Sequence, residues 1–291
     1  MSTAPIAGVA AGVPFLAVPP AASPPDRPAP VVVAWHLMDP PRTEAAFAAA
    51  VPMAGLAAWR IYLGLPMYGA RLPGGGLDEV MRLAYADAVL NLQGPVAAQG
   101  AEEFPAALAD LRARLDLGKG PVGLVGGSFG TAIAQFVLTE TGPGAGIAVA
   151  AAVLISPVTQ LRPTVDAMGR RFGITYSWGP ESSAVARRLD FAARADDFVA
   201  AGQPAVRLVL GADDDREGFH DPAERLRSAL SERYADPARV DLVTVPGMAH
   251  ALADEPGIEP APQTSHAAVV DRYAVEWLRQ HLLDAVPAGD R

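Results

Sequence analysis

The sequence predicts an α/β protein, a mostly parallel central sheet flanked by helices. Three observations carry this. Short apolar, β-branched runs recur at residues 31–35, 122–125, 147–155, 205–210 and 240–245. Segments with helical spacing lie between them, and strands alternating with helices imply βαβ units and a parallel sheet. Hydrophobic residues make up 51% of the 291 and charged residues 19%, enough for a large core in one unit of this length.

The elements follow in order. Residues 4–20 are apolar but interrupted by Pro5, Pro14, Pro19 and Pro20. With no basic residue ahead of them they make a poor signal peptide. No apolar run of 18 residues is free of Pro, Gly and charge, so a cytoplasmic protein without a membrane span is expected. Pro19, Pro20, Pro24, Pro25, Pro28 and Pro30 mark a loop between two early strands, or a linker after a short arm. Residues 31–35 (VVVAW) suit a strand buried on both faces. Thr43 is placed to cap a helix over residues 44–51. Residues 59–65 read as a strand, Gly74, Gly75 and Gly76 as a loop, and residues 77–92 as a helix. A stronger helix is expected over residues 102–117, where Phe104, Leu108, Leu111 and Leu115 recur at spacings of three and four. A turn at residues 118–121 and a short strand at 122–125 follow. Residues 131–140 are expected to be helical, and the strand at 147–155 ends at Ser156 and Pro157.

Residues 158–203 break the alternation. They are expected to form two or three helices inserted over the sheet, within a single domain spanning residues 1–291. The segment reads either as a surface excursion or as a cap over a pocket, walled by Phe172, Tyr176 and Trp178. The strands at 205–210 and 240–245 then complete the sheet, and an amphipathic helix over 269–283 closes the chain.

Composition excludes several function classes. Lys plus Arg is 23 against 32 Asp plus Glu, and a net charge of −9 argues against nucleic-acid binding. No cysteine is present, which rules out disulfides, thiolate-held zinc, iron–sulfur clusters and a cysteine nucleophile. The five histidines lack metal-ligand spacing, and no dinucleotide or phosphate-loop fingerprint appears. No metal or cofactor is expected.

What remains is nucleophilic chemistry. Residues 126–130 read Gly-Gly-Ser-Phe-Gly, a G-x-S-x-G pattern. The pattern is weak alone. Its context strengthens it, because it follows an apolar strand and opens a helix, as a nucleophile elbow requires. Small residues must flank the serine in so tight a turn, and the helix N-terminus beneath favours developing negative charge. The alternative is a Gly-rich turn with an N-capping Ser128. A serine needs a base, and His36, His220, His250, His266 and His281 are available. His250 lies just beyond the last strand, at the sheet edge where ligands of such folds bind. His281 reads as a packing or surface residue, His266 as a helix N-terminal one, and His220 as a loop residue. The base needs a carboxylate to fix its tautomer. Asp213, Asp214 and Asp215 follow the strand before the histidine strand.

The strand, the GGSFG elbow, the acid after the next-to-last strand and the histidine after the last, in the order Ser…Asp…His, resemble the α/β-hydrolase superfamily. The resemblance spans about residues 31–283. It implies a serine hydrolase acting on ester-like acyl groups of small molecules, with a triad of Ser128, His250 and an acid. The family's usual acid position, counted from Gly211, selects Asp214, with Asp213 next. The family's oxyanion hole implies backbone donors at Phe129 and, from the early-strand loop Trp35-His36-Leu37-Met38, at Met38 or Leu37. Leu37 stands where the family commonly has glycine. His36 would then be a buried structural residue. The resemblance leaves open esterase, thioesterase and prolyl-oligopeptidase-related peptidase chemistry, and a catalytically silent hydrolase fold serving as a binding surface. Oligomeric state is not legible.

Overall fold

The apolar runs become the centre of one eight-stranded sheet. The computed structural model describes residues 4–20 and 28–283. The strands are β1 (Ile6–Ala10), β2 (Val13–Val18), β3 (Ala29–Trp35), β4 (Trp59–Leu63), β5 (Leu117–Gly127), β6 (Val149–Ile155), β7 (Ala205–Gly211) and β8 (Val240–Val245). Their order is β1-β2-β4-β3-β5-β6-β7-β8. β2 pairs antiparallel with β1 and with β4, and the remaining pairs are parallel. The β1–β2 hairpin is a feature the proline-broken N-terminal segment did not announce. It turns at Ala11 and Gly12, both with positive φ (46° and 88°), as a tight two-residue hairpin turn requires. Of the proline-rich stretch, residues 21–27 lie outside the described residues, and Pro30 belongs to β3.

Alternation along the strands divides the core between the two faces of the sheet. Val31, Val33 and Trp35 of β3 join the larger cluster. Val32 and Ala34 join the other, with Phe47 of α1 (Glu44–Ala50) and Val270 and Trp277 of α10 (Ser265–Leu278). The larger cluster takes Phe104 of α3 (Gly94–Arg114), Ile133 of α4 (Gly130–Phe136) and Leu226 and Leu230 of α9 (Asp221–Arg233). Burying a side chain of that size stabilises by about 1.5–3 kcal/mol. Thr43 caps α1 as expected, accepting from the Ala46 N–H at 3.1 Å.

Several boundaries differ from expectation. The helix expected over 77–92 is α2 (Gly76–Ala88), which stops at Asp87 (φ −165°, ψ 104°). Asp87 Oδ1 accepts from the N–H groups of Val89 and Leu90, so its carboxylate caps the next helical segment. The helix expected over 102–117 begins earlier, at Gly94, and ends at Arg114. Gly94 and Gly100 hide its first turns. Gly100 lies where α4 crosses closely, and a Cβ there would sit 2.5 Å from Ile133 Cδ1. The turn expected at 118–121 is an irregularity inside β5, where pairing jumps from Ala29↔Leu117 to Val31↔Val122.

After the short α5 (Gly142–Gly144), residues 158–203 contain three helices: α6 (Leu161–Phe172), α7 (Pro180–Arg188) and α8 (Ala195–Ala200). Their second half is built into the body, because Phe191 and Phe198 are fully buried and Phe191 meets Phe136 of α4 edge-on at 5.3 Å. Among the described residues no helix is long and apolar enough to cross a membrane.

Candidate active site

The carboxyl ends of β3, β5, β7 and β8 bring the predicted chemistry to one edge of the sheet. Ser128 follows β5 directly and precedes α4. Its φ is 44°, a left-handed conformation that costs a non-glycine residue of order 1–2 kcal/mol. Three glycines make that turn possible. A Cβ on Gly126 would meet Thr131 Cα at 2.6 Å, and one on Gly130 would meet the Trp35 and His36 carbonyl oxygens at 2.5 Å. A Cβ on Gly127 would collide with the Leu37 side chain. The Ser128 N–H donates to the Ile155 carbonyl (2.8 Å), which ties the turn to β6.

His250 lies five residues past β8 and meets Ser128 across the edge. Ser128 Oγ and His250 Nε2 are 2.7 Å apart. On the other side of the ring, His250 Nδ1 and Asp214 Oδ2 are also 2.7 Å apart. The three acids after β7 are therefore distinguished. The Asp214 side chain is only 4% exposed, and its Oδ1 accepts from the Asp215 N–H at 2.8 Å. Asp215 accepts from the Gly218 N–H (2.6 Å), while Asp213 faces solvent. Backbone bonds knit this turn to the histidine loop: Ala212 N–H donates to Val245 O, and Asp213 N–H to Met248 O, both at 2.9 Å. Gly211 is fixed by the same approach, since a Cβ there would strike the Met248 and Ala249 carbonyls.

Burial disfavours the imidazolium of His250. The Asp214 hydrogen bond and charge, with a further contribution from Asp39, outweigh it and hold the His250 pKa above its ordinary value; the Arg171 charge opposes them. His36, His266 and His281 lie where the sequence reading put them, whereas His220, expected in a loop, ends the helical turn Arg216–His220 that leads into α9. His36 is fully buried; its Nδ1 lies 2.7 Å from the Leu37 carbonyl and its Nε2 accepts from the Leu65 N–H. Burial pushes its pKa down to about 4. His266 lies in the first turn of α10, and His281 is buried against Trp277 at 4.1 Å. His220 is partly buried, with Nε2 2.8 Å from the Gly211 carbonyl.

The Phe129 N–H is the one that follows the serine, and among the described residues neither it nor the Met38 N–H donates to a protein acceptor. Leu37 turns its side chain into the core against Gly127 and Phe47, which accounts for a leucine at this loop position. The three aromatics expected to wall a pocket, Phe172, Tyr176 and Trp178, are placed apart from the Ser128–His250–Asp214 contacts. Tyr176 donates to Asp87 (2.6 Å), Trp178 donates to Asp166 (3.0 Å), and the two rings meet at 4.7 Å. Phe172 is 67% exposed at the end of α6. That helix nevertheless borders the site. Thr164 donates to Gly218 O (3.0 Å), and Arg170 pairs with Asp215 and Glu217.

Three further groups at the site carry no sequence signal of their own. The Phe219 ring lies 4.3 Å from the His250 ring. Ser156, at the end of β6, donates to the His250 carbonyl (3.1 Å). Asp39 places Oδ2 3.7 Å from His250 Nε2. Among the described residues no cluster of three or more His, Asp or Glu side chains could hold a metal ion.

Solved structures that resemble the chain share this topology. A Thermus thermophilus protein, TT1662, superposes with a TM-score of 0.63 at 18% identity, covering 96% of this chain and 98% of its own. The acylaminoacyl peptidase of Pyrococcus horikoshii gives 0.64 at 14% identity over 100% of this chain. Carboxyl esterase 2 of the fungus Tuber melanosporum gives 0.53 at 17% identity, covering 95% of this chain and 86% of the esterase. This chain has the α/β-hydrolase fold. It spans less than half of the Pyrococcus peptidase, 44% of that chain. No protein-family model matches the chain, and no curated protein matches it by sequence. As an α/β-hydrolase fold, the molecule carries its Ser128–His250–Asp214 line at the carboxyl edge of the sheet, where the open crevices of such sheets lie.

Proposed function

We propose that this protein is a serine hydrolase that cleaves carboxylic esters of small molecules through an acyl-enzyme on Ser128. The observation that supports it is the unbroken line of two 2.7 Å contacts from Ser128 through His250 to Asp214. In this reading His250 Nε2 takes the Ser128 proton as Oγ attacks the acyl carbon. Asp214 holds Nδ1–H and balances the imidazolium. The N–H groups of Phe129 and Met38 receive the oxyanion. His250 then gives its proton to the departing alcohol, and water repeats the sequence on the acyl-enzyme to release the acid. Residues 158–203 act as a cap through α6, which borders the entrance, while Tyr176 ties it to the body at Asp87 and Trp178 braces α6 at Asp166.

A peptidase or aminoacyl hydrolase is the second reading, favoured by the likeness to the Pyrococcus acylaminoacyl peptidase. The experiment is a panel of acyl p-nitrophenyl esters and aminoacyl anilides assayed with wild type and Ser128→Ala. The ester reading expects turnover of esters well above anilides, absent in Ser128→Ala. Faster anilide cleavage would favour the second reading, and no Ser128-dependent turnover of either would oppose both.

A further inference from the structure

Asp39 has no part in the triad described above, yet its carboxylate sits at the reacting edge of His250. Oδ2 lies 3.7 Å from Nε2, the same nitrogen that faces Ser128 Oγ. The placement is built rather than incidental. Asp39 lies on the loop after β3, beside Met38, and that loop is bonded to the histidine's own loop. Leu252 N–H donates to the Pro40 carbonyl (3.0 Å), and Arg42 N–H donates to the Gly257 carbonyl (2.7 Å). Arg42, three residues further on, is committed elsewhere, pairing with Glu255 and donating to the Met38 and Pro256 carbonyls. Among the described residues His250 is the one basic side chain within 4 Å of the Asp39 carboxylate.

An anion there works against the proposed chemistry if it has no counterpart, because the oxyanion would form nearby. Two cations can offset it. One is the imidazolium of His250, which forms as the serine attacks. The other is a positive charge on the substrate. Asp39 is half exposed, with 51% of its side chain open to solvent, so a substrate group can reach it.

We propose that Asp39 is a second carboxylate partner of His250, acting on the Nε2 edge as a positioning residue, and that it biases the site toward substrates carrying a positive charge next to the scissile acyl group. The proposal rests on the serine-hydrolase reading. Asp214 acts on the imidazole from the β7 side, Asp39 from the β3 loop, and Arg171 from α6 with opposite sign, while the Phe219 ring covers one side. Asp215, on the same turn as Asp214, is turned to Arg170. Of the two carboxylates, only Asp39 is open to solvent, so it is the one a ligand can address.

The test uses the 291-residue wild-type chain, Asp39→Asn and Asp39→Glu. NMR titration of the His250 imidazole reads the first half of the proposal without requiring turnover. In Asp39→Asn the midpoint should fall by about half a pH unit or more, the size expected of a partly solvated charge at this distance. Asp39→Glu should restore most of it. The second half is read as the ratio of kcat/KM for acetylthiocholine to that for its uncharged isostere 3,3-dimethylbutyl thioacetate. That ratio should drop about three- to tenfold in Asp39→Asn and weaken with added salt in wild type. An unchanged titration midpoint, or an unchanged ratio, overturns the proposal. If neither thioester is turned over and Ser128 proves inert, the hydrolase reading fails, while the titration still decides whether Asp39 acts on His250.

Discussion

In the proposed reading, Ser128, His250 and Asp214 divide one task among three environments. The serine is held at φ 44° by its turn, the histidine is wedged between two loops, and the acid is buried at 4% exposure. If the three act as a unit, Ser128→Ala should lower kcat on an ester by about 10³-fold or more with the melting temperature retained. Residual activity above a few per cent would oppose the assignment. Asp214→Asn should cost far more than Asp213→Asn or Asp215→Asn, because only Asp214 meets Nδ1. All three remove one negative charge from the same turn, so side-by-side kcat values separate tautomer control from field. The raised His250 pKa carries its own sign. The base form is required, so kcat/KM should fall with acid through a midpoint above the free-histidine value near 6.5. At this scale the sequence was informative where chain order constrains chemistry, as with Ser128, Asp214 and His250. Asp39 and Phe219 were illegible because their proximity to His250 depends on how separate loops close over the edge.

Helices and strands were legible where periodicity is clean. The apolar runs gave β3, β6, β7 and β8 to within two residues at their ends. They failed where a glycine or proline serves packing instead of breaking structure. Gly100 reads as a breaker but is the contact point of α3 with α4, and Pro14 reads as an interruption but lies inside β2. The same steric logic makes Gly130 testable. A methyl group there meets two backbone carbonyls, which cannot swing aside as a side chain can. Gly130→Ala should therefore lower stability by about 2 kcal/mol or more and displace Ser128; urea unfolding together with ester turnover reads both. For α6 and the loop after it, the structure separates the three aromatics. Trp178→Ala removes a hydrogen bond to Asp166 and the Arg162 guanidinium stacked at 4.0 Å, so the melting temperature should fall. Phe172→Ala should leave it nearly unchanged and alter long-chain relative to short-chain esters. If Phe172→Ala scales all esters together, it is not part of the substrate wall.

Across the whole molecule, burial of a titratable group links the fold to pH. His36 is neutral inside the fold with a pKa of about 4, and the unfolded chain binds its proton near 6.5. Its contribution to stability is therefore complete above about pH 6.5 and is lost as the pH falls toward 4, worth about 2 kcal/mol by pH 4.5. Urea unfolding at pH 7 and 4.5 should show that loss in wild type and a smaller one in His36→Asn; equal losses would contradict the linkage. The parallel order of the sheet was legible from alternation, and the antiparallel edge was not, because β1 and β2 are short, proline-bearing and joined by a two-residue turn. In the proposed reading, the assembled sheet forms an edge at which Ser128 is activated. A fluorophosphonate probe tests that most directly, with intact mass and peptide mapping as the readout. One adduct should form, on Ser128, and its rate should collapse in His250→Ala while the protein stays folded. Absence of labelling, labelling elsewhere, or a rate that does not depend on His250 would contradict the account.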